Sequence, residues 1–123
     1  MEPIYDHSWM RQMMSAKVRE RFSFDAYRAV ALEINPKSVR KSPFHYRILF
    51  FPEKSQKPVL SLNLESSILG SYCFTKHRGG EHLSLGQTDD DISYDEFKKW
   101  ALERAETELY KHAVRKVSKE RLH

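Results

Sequence analysis

Two histidines and a glutamate near the dipeptide Gly79-Gly80 are the residues of this sequence best suited to metal chemistry. His77, Glu81 and His82 lie within six consecutive positions, and imidazole and carboxylate groups are ligands for zinc and iron. Gly-Gly between two β-type runs predicts a tight hairpin, in which His77 pairs with His82 across the strands. The two imidazoles then share one face of the sheet, while the Glu81 carboxylate lies on the other face.

A metal site would need a third ligand beside the two imidazoles. His45 or Glu65 would have to supply it from elsewhere in the chain, because two imidazoles are at most half of a tetrahedral site. We therefore predict no metal and no cofactor, and expect the purified protein to retain no stoichiometric zinc or iron. Solvated histidines at a hairpin tip are the simpler interpretation of His77 and His82.

The remaining nucleophiles and acids form no recognisable catalytic signature. Cys73, the single cysteine, falls within a β-type run, where no helix N-terminus would lower the pKa of its thiol. The run Asp89-Asp90-Asp91 does not match calcium-loop spacing, and it precedes a predicted helix whose dipole favours acids there. The expectation is therefore a protein that is not an enzyme, with a divalent-metal-dependent nuclease as the second alternative.

Cations interleaved with aromatic residues between positions 37 and 47 favour nucleic-acid binding. This mixture can contact phosphates and stack on bases, and a second basic segment covers residues 111–121. The other interpretation is that Phe44 and Tyr46 are core residues beside an ordinary solvated loop. The predicted nucleic-acid contacts are Lys37, Arg40, Lys41, His45, Arg47, Arg115 and Lys116.

A protein-partner module, such as an inhibitor, an immunity-type protein or an adaptor, is the first alternative function. A small domain without a catalytic constellation often works by presenting a surface, and an adaptable apolar cluster near the N-terminus could form a partner groove. It could also form a dimer seam, although such a cluster more often belongs to the core. It consists of Trp9, Met10, Met13 and Met14.

Length and composition indicate one globular domain covering residues 1–123. The chain is 40% hydrophobic and 31% charged, with a net charge of +4 and a pI near 9.2, which is compatible with an anionic partner. No apolar run approaches the roughly 20 residues that span a bilayer, and no signal peptide is recognisable. We expect a cytoplasmic protein without a membrane partner, and the sequence leaves the oligomeric state open.

The sequence predicts helices in the first part of the chain, followed by the strands that carry most of these residues. Residues 8–21 repeat apolar side chains at helical spacing, and residues 24–35 favour a helix slightly over a strand. From residue 44 the apolar period becomes two, which predicts strands. One strand alternates leucines with Ser61, Asn63 and Glu65, and this alternation predicts an open polar face on the sheet.

The final helix is defined by a cap and by a long apolar stripe. Ser93 and Glu96 form a capping box, flanked by Ile92 and Phe97 as a hydrophobic staple. The stripe is predicted to pack on the apolar face of the sheet. It consists of Phe97, Ala101, Ala105, Leu109, Ala113 and Val117, widened by Trp100 and Val114, and the facing sheet residues are Leu60, Leu62, Leu64, Tyr72, Phe74, Leu83 and Leu85.

Together these elements predict a single α+β domain. Four antiparallel strands form a meander, or five if residues 24–35 contribute one. An N-terminal helix or helix pair and the long C-terminal helix pack on one face of that sheet. The polar residues on its other face would then be available for contacts with a partner.

A short stretch at the end of the predicted sheet resembles the arm-type DNA-binding domain of phage integrases. The segment Leu83-Ser-Leu-Gly86-Gln-Thr-Asp is followed by a helix containing Phe97-Lys-Lys-Trp100-Ala-Leu-Glu. In that domain a three-stranded sheet ends in such a Leu-x-Leu-Gly turn and packs on one helix. The resemblance covers about a quarter of the chain, and it implies a sheet that reads DNA.

Overall fold

The fold is one antiparallel sheet with a long helix packed on one face, which confirms the α+β class. The computed structural model describes residues 16–34, 45–66 and 71–121. Within these ranges six strands follow the chain in order across the sheet, and each strand pairs with the next. The elements are β1 (Ala16–Phe24), β2 (Tyr27–Ile34), β3 (Tyr46–Pro52), β4 (Leu60–Ser66), β5 (Tyr72–Arg78), β6 (Glu81–Thr88) and α1 (Tyr94–Arg121).

The beginning of the sheet differs from the sequence prediction. The structure has the hairpin of β1 and β2 where helices were predicted over residues 16–21 and 24–35, so the sheet has six strands rather than four or five. Residues 8–15 of the first predicted helix lie outside the described ranges. Consecutive residues Ala29, Val30, Ala31 and Leu32 are all buried, as in an interior strand, and this packing overrides the helical propensity of the alanines.

A two-residue turn at Asp25 and Ala26 forms the β1–β2 hairpin. Phe24 pairs with Tyr27 across the strands, and Asp25 has a positive φ of 51°, a conformation that aspartate tolerates better than most residues. Two-residue loops with left-handed backbone are the commonest connection between antiparallel strands. Asp-Ala is a weaker hairpin signal than Gly-Gly, so the sequence pattern alone favours a continuous helix at this place.

Helix α1 covers the face of the sheet that carries the leucines of β4, as predicted. The Phe97 ring stacks on Tyr46 with centroids 5.6 Å apart, and the Trp100 ring lies 4.5 Å from that of Phe74. Small alanines further along α1 let the helix approach the strands closely. The buried residues of this interface are Ala29, Ala31, Ile48, Phe50, Leu60, Leu62, Leu64, Tyr94, Phe97, Ala101, Ala105 and Leu109.

The predicted capping box begins α1. The Ser93 hydroxyl accepts a hydrogen bond from the Glu96 backbone N–H at 3.2 Å and donates one to the Glu96 carboxylate at 3.1 Å. The Phe97 N–H donates to the Ser93 carbonyl at 2.9 Å, and Ile92 packs against the core. The cap thereby fixes the residue at which α1 begins. The regular geometry of the helix then sets the positions of its later residues.

The second face of the sheet is also buried at its centre, which corrects the predicted open polar face. Leu32 and Leu49 are 0% exposed and belong to a second apolar cluster. Ser61 and Asn63, which were expected to face solvent, are 1% and 0% exposed. Polar side chains buried to this degree need hydrogen-bond partners, and the neighbouring strands supply them.

The tip of the β5–β6 hairpin has the predicted register. Arg78 pairs with Glu81 and His77 pairs with His82. Both residues of the Gly79-Gly80 loop have positive φ angles, 56° and 94°, as a turn of the primed type requires. The hairpin thus holds the two imidazoles side by side, as the sequence predicted.

Further from the tip a bulge alters the predicted pairing of this hairpin. The register of a two-residue loop would place Phe74 opposite Leu85, but Phe74 lies opposite Gly86 instead. Gly86 has a φ of 150° that suits glycine at a bulge. Leu85 still packs against the core. Leu83, predicted to meet the helices, is instead 45% exposed.

The sheet is larger than the resemblance to the integrase domain implies. Its described part has six strands rather than three, although a single helix does pack on it after the Leu-x-Leu-Gly segment.

In the ranges that the structure describes, no helix is both long and apolar enough to cross a membrane.

Candidate functional site

A chain of buried polar side chains crosses strands β3, β4 and β5 on the face opposite α1. Arg47 Nε donates to Asn63 Oδ1 at 2.5 Å, and the Ser61 hydroxyl donates to the same oxygen at 2.6 Å. Asn63 Nδ2 in turn donates to Thr75 Oγ1 at 3.2 Å. Arg47 pairs with Asn63, and Asn63 with Thr75, in the strand register, so β-sheet geometry itself brings these groups together.

A cluster of two imidazoles and one carboxylate continues this polar face towards the hairpin tip. The rings of His77 and His82 have their centroids 4.2 Å apart, and His82 Nε2 lies 3.1 Å from Glu65 Oε2. One ligand atom from each of the three residues lies within 4.8 Å of the other two. We call Glu65, His77 and His82 the histidine cluster.

The histidine cluster combines a solvent-accessible side with a half-buried side. The side chain of His82 is 48% exposed and that of Glu65 is 17% exposed. Burial lowers the pKa of His77 to about 4, and the positive charges of His82 and Arg47 act in the same direction. The His77 imidazole is therefore neutral near pH 7.

Cys73 lies on the same face but is hydrogen-bonded rather than poised for catalysis. Its Sγ atom is 3.1 Å from the Ser84 hydroxyl and 3.7 Å from the carbonyl oxygen of Phe74. Neither of these neighbours is a base that would generate a thiolate. The contacts agree with the structural role that the sequence favoured for this cysteine.

A second carboxylate cluster lies on the α1 side of the same hairpin. Glu108 is 1% exposed, and its oxygens lie 2.8 Å from Lys76 Nζ and 3.2 Å from Arg78 Nη1. Arg104 Nη2, one helical turn earlier, is 3.5 Å away. Three cations thus surround one buried carboxylate where α1 crosses the hairpin, and we call these four residues the Glu108 cluster.

A third polar contact attaches the edge strand β1 to the first turns of α1. The Tyr94 hydroxyl donates to Glu20 at 2.5 Å, and Lys98 Nζ lies 3.0 Å from both carboxylate oxygens. The hydrogen bond from Tyr94 lowers the pKa of Glu20, and the bond from Lys98 adds to this effect. The contact joins two elements that are distant in the sequence, so it has a structural role.

The predicted nucleic-acid contacts are only partly within the described ranges. Lys37, Arg40 and Lys41 lie outside them. His45 is exposed at the start of β3, with its ring 5.0 Å from that of Tyr72, whereas Arg47 is only 5% exposed and is bonded to Asn63. Two further predicted contacts, whose side chains are not described, lie within α1: Arg115 and Lys116.

The described backbone does not bring His45 and Arg115 together. His45 contacts Tyr72, whose hydroxyl donates to Asp91 at 3.1 Å, just before α1. Arg115 lies about 30 Å further along the helix axis, at 1.5 Å per residue. The described parts of the two predicted basic segments, His45 and the backbone at Arg115, therefore lie far apart.

Sequence reasoning missed the Glu108 cluster, and it named Glu65 only as one of two possible third ligands beside His77 and His82. A glutamate within the apolar stripe of α1, four residues after Arg104, was the available signal for the first. For the second, the twist of the sheet brings Glu65 to His82 across β5, and that twist is not readable from residue spacing. Of the two residues named from the sequence as a possible third ligand, Glu65 is the one that lies beside the two imidazoles.

No family model matches this chain, and no curated protein or solved structure matches it either. Its function is therefore inferred from the groups that its own residues bring together.

Proposed function

We propose that this protein binds nucleic acid through a basic surface at the tip of the β5–β6 hairpin and the second half of α1. We call this surface the basic edge; it comprises Lys76, Arg78, Arg104 and positions 111–121 of α1. The net charge of +4 favours an anionic partner. Concentration of cations in one region supports such a partner more strongly than the total charge does.

The observation that carries this proposal is the gathering of three cations around a single carboxylate. Nitrogen atoms of Lys76, Arg78 and Arg104 lie within 3.5 Å of the Glu108 oxygens, and together they offer more donors than two oxygens can accept. The side chain of Arg104 is 40% exposed, although its Nε atom is itself buried. Phosphate oxygens are strong acceptors for such charged donors.

The sequence of α1 continues this basic character beyond Glu108. Positions 111 and 115 follow position 108 at three and seven residues, spacings that return to one side of an α-helix. Lys111 and Arg115 occupy these positions, and α1 extends to Arg121. We therefore expect Arg115 and the adjacent Lys116 to extend the basic edge.

The other predicted contacts belong to a second part of the proposal. Lys37, Arg40 and Lys41 precede β3, which begins beside the N-terminal end of α1. They would contact the nucleic acid at a separate place from the basic edge, together with the exposed His45. Arg47 is buried against Asn63, so its expected role is support of the sheet rather than phosphate contact.

Mobility-shift titrations with duplex DNA, single-stranded DNA and RNA test the proposal. The wild-type protein should shift at least one of them at about 50 mM salt, and binding should weaken steeply as salt rises. Replacing Arg104, Arg115 and Lys116 with glutamine should reduce affinity and lower the log–log salt slope by roughly one for each lost contact. Lys76 and Arg78 remain in this variant, so Glu108 keeps two partners.

A matched control removes exposed cations away from the basic edge. Lys17 and Lys99 are exposed on β1 and on the early part of α1, and their replacement by glutamine should change the slope little. Replacement of Arg40 and Lys41 by glutamate measures the second part of the proposal separately. Absence of any shift at about 50 mM salt, where electrostatic binding is strong, would contradict nucleic-acid binding.

A protein-binding module is the second candidate, and the edge strand β6 favours it. Leu83 is 45% exposed on this strand, and an edge strand presents unpaired backbone groups to which another strand can add. Leu83→Lys should then abolish a complex seen by size-exclusion chromatography. Substitutions on the basic edge should leave such a complex intact, which separates the two functions.

A further inference from the structure

We propose that Glu65, His77 and His82 bind one divalent transition-metal ion, with zinc as the expected metal. Two imidazoles and one carboxylate are the protein ligands of many zinc sites that keep a fourth position open, and of iron sites of the facial-triad type. The proposal is independent of nucleic-acid binding, because the histidine cluster lies on the sheet face opposite the Glu108 cluster of the basic edge.

The distances within the histidine cluster are close to those a bound metal requires. Ligand atoms about 2.0–2.1 Å from a tetrahedral zinc lie about 3.3 Å from one another. His82 Nε2 and Glu65 Oε2 are already 3.1 Å apart, and no pair in the cluster exceeds 4.8 Å. Even a pair at the 4.8 Å limit would need to approach by only about 1.5 Å to reach this spacing.

The chemistry of the three groups also suits a metal. The Glu65 carboxylate can only accept, so the contact at 3.1 Å places a hydrogen on His82 Nε2 in the metal-free protein. A metal ion would take the place of this hydrogen, and the His82 ring would carry its proton on Nδ1 instead. Exposure of His82 leaves an entry path for the ion and room for a water ligand.

One neighbouring charge opposes a cation at this place. Arg47 is close enough for its charge to act on His77, although its Nε is directed to Asn63. The Glu65 carboxylate supplies a compensating negative charge within the histidine cluster itself. The sequence predicted no metal because no third ligand could be assigned, and Glu65 removes that reason.

Isothermal titration of the chelator-treated full-length protein with zinc chloride tests the proposal. We expect one zinc per chain, with affinity reduced by more than about 100-fold in His82→Ala and in Glu65→Gln, because loss of a mere supporting group already costs roughly 10- to 100-fold. His82 is half exposed, so its replacement should leave the fold intact, which circular dichroism checks. Titration with cobalt(II) provides an independent visible spectrum of the coordinated metal.

Two control variants separate the histidine cluster from its surroundings. His45→Ala removes an exposed imidazole beside Tyr72, and Cys73→Ser removes the thiol on the same face; both should bind zinc like the wild type. The proposal is overturned if the wild type binds no zinc, if His82→Ala binds it equally well, or if Cys73→Ser loses it.

Discussion

Two glutamates on opposite faces of the β5–β6 hairpin have contrasting surroundings. Glu108 is 1% exposed and is held by three permanent cations. Glu65 is 17% exposed and faces two imidazoles, one of which has a pKa lowered to about 4 by burial. One carboxylate is thus held by ion pairs with three cations, while the other lies 3.1 Å from the half-exposed imidazole of His82.

The groups that surround a carboxylate decide whether it acts mainly in stability or in binding. A buried carboxylate with cations is costly to disturb, because removal of either side leaves an uncompensated charge. A partly buried carboxylate beside a half-exposed imidazole has a weaker electrostatic hold, because solvent screens that pair more strongly. The contacts of Glu108 therefore indicate a structural role, whereas Glu65 belongs to the proposed metal site.

The largest expected effect is the loss of the Glu108 carboxylate. Glu108→Ala should lower the free energy of unfolding by about 3 kcal/mol, because Lys76 and Arg78 would remain partly buried without their partner. Urea denaturation measures the change. In the metal-free protein the matched change Glu65→Ala should cost less than about 1 kcal/mol. Equal costs for the two substitutions would remove the contrast between the clusters.

The buried polar chain beside the histidine cluster should be the next most sensitive. Asn63→Ala removes the acceptor of Arg47 Nε and Ser61 Oγ and the donor to Thr75, so we expect a loss of about 2 kcal/mol in urea denaturation. Ser23→Ala, an exposed change on β1, serves as the control. If Asn63→Ala lowers the free energy of unfolding no more than Ser23→Ala does, the hydrogen bonds of Asn63 do not stabilise this face of the sheet.

Loss of the helix cap should have a moderate effect. Ser93→Ala removes the acceptor for the Glu96 N–H and should cost about 1 kcal/mol in thermal or urea unfolding. Because the cap fixes the start of α1, the change should also loosen the Glu108 cluster, which depends on the position of the helix. Zinc affinity at the histidine cluster should be unchanged, since that cluster is made by strands alone.

The smallest expected effect is the pH dependence contributed by Glu20. Bonds from Tyr94 and Lys98 lower the pKa of Glu20 from its ordinary value of 4.5, so the unfolded chain binds the proton more readily than the folded one. The stability from this contact is therefore present above pH 4.5 and is lost as the pH falls through the lower, folded value. Wild type should melt slightly higher than Glu20→Gln at pH 7, and the difference should shrink as the pH is lowered below 4.5. Glu103→Gln, exposed on α1, should show no such change.

The sequence was most informative where local signals agree with one another. The capping box at Ser93, the apolar stripe of α1 and the Gly79-Gly80 turn each combine a turn or cap residue with a matching period, and the structure confirms them. The β1–β2 hairpin was predicted wrongly because its alanines favour a helix while the deciding contacts come from β3.

The histidine cluster and the Glu108 cluster were harder to predict from the sequence. The paired imidazoles followed from the hairpin register, but the approach of Glu65 depends on side chains that reach across a twisted strand. Glu108 meets Lys76 and Arg78 over about 30 residues of chain, and only the docking of α1 brings them together. Tertiary contacts of this kind have no local signature.

X-ray absorption spectroscopy at the zinc edge of the one-to-one complex tests the contrast between the two clusters most directly. Coordination by Glu65, His77 and His82 predicts nitrogen and oxygen neighbours at about 2.0–2.1 Å with the outer-shell scattering of two imidazoles. That scattering should fall by half in His82→Ala loaded at high zinc concentration, and should be unchanged in Glu108→Gln. A sulfur neighbour at about 2.3 Å, or a spectrum indifferent to His82, would contradict the account.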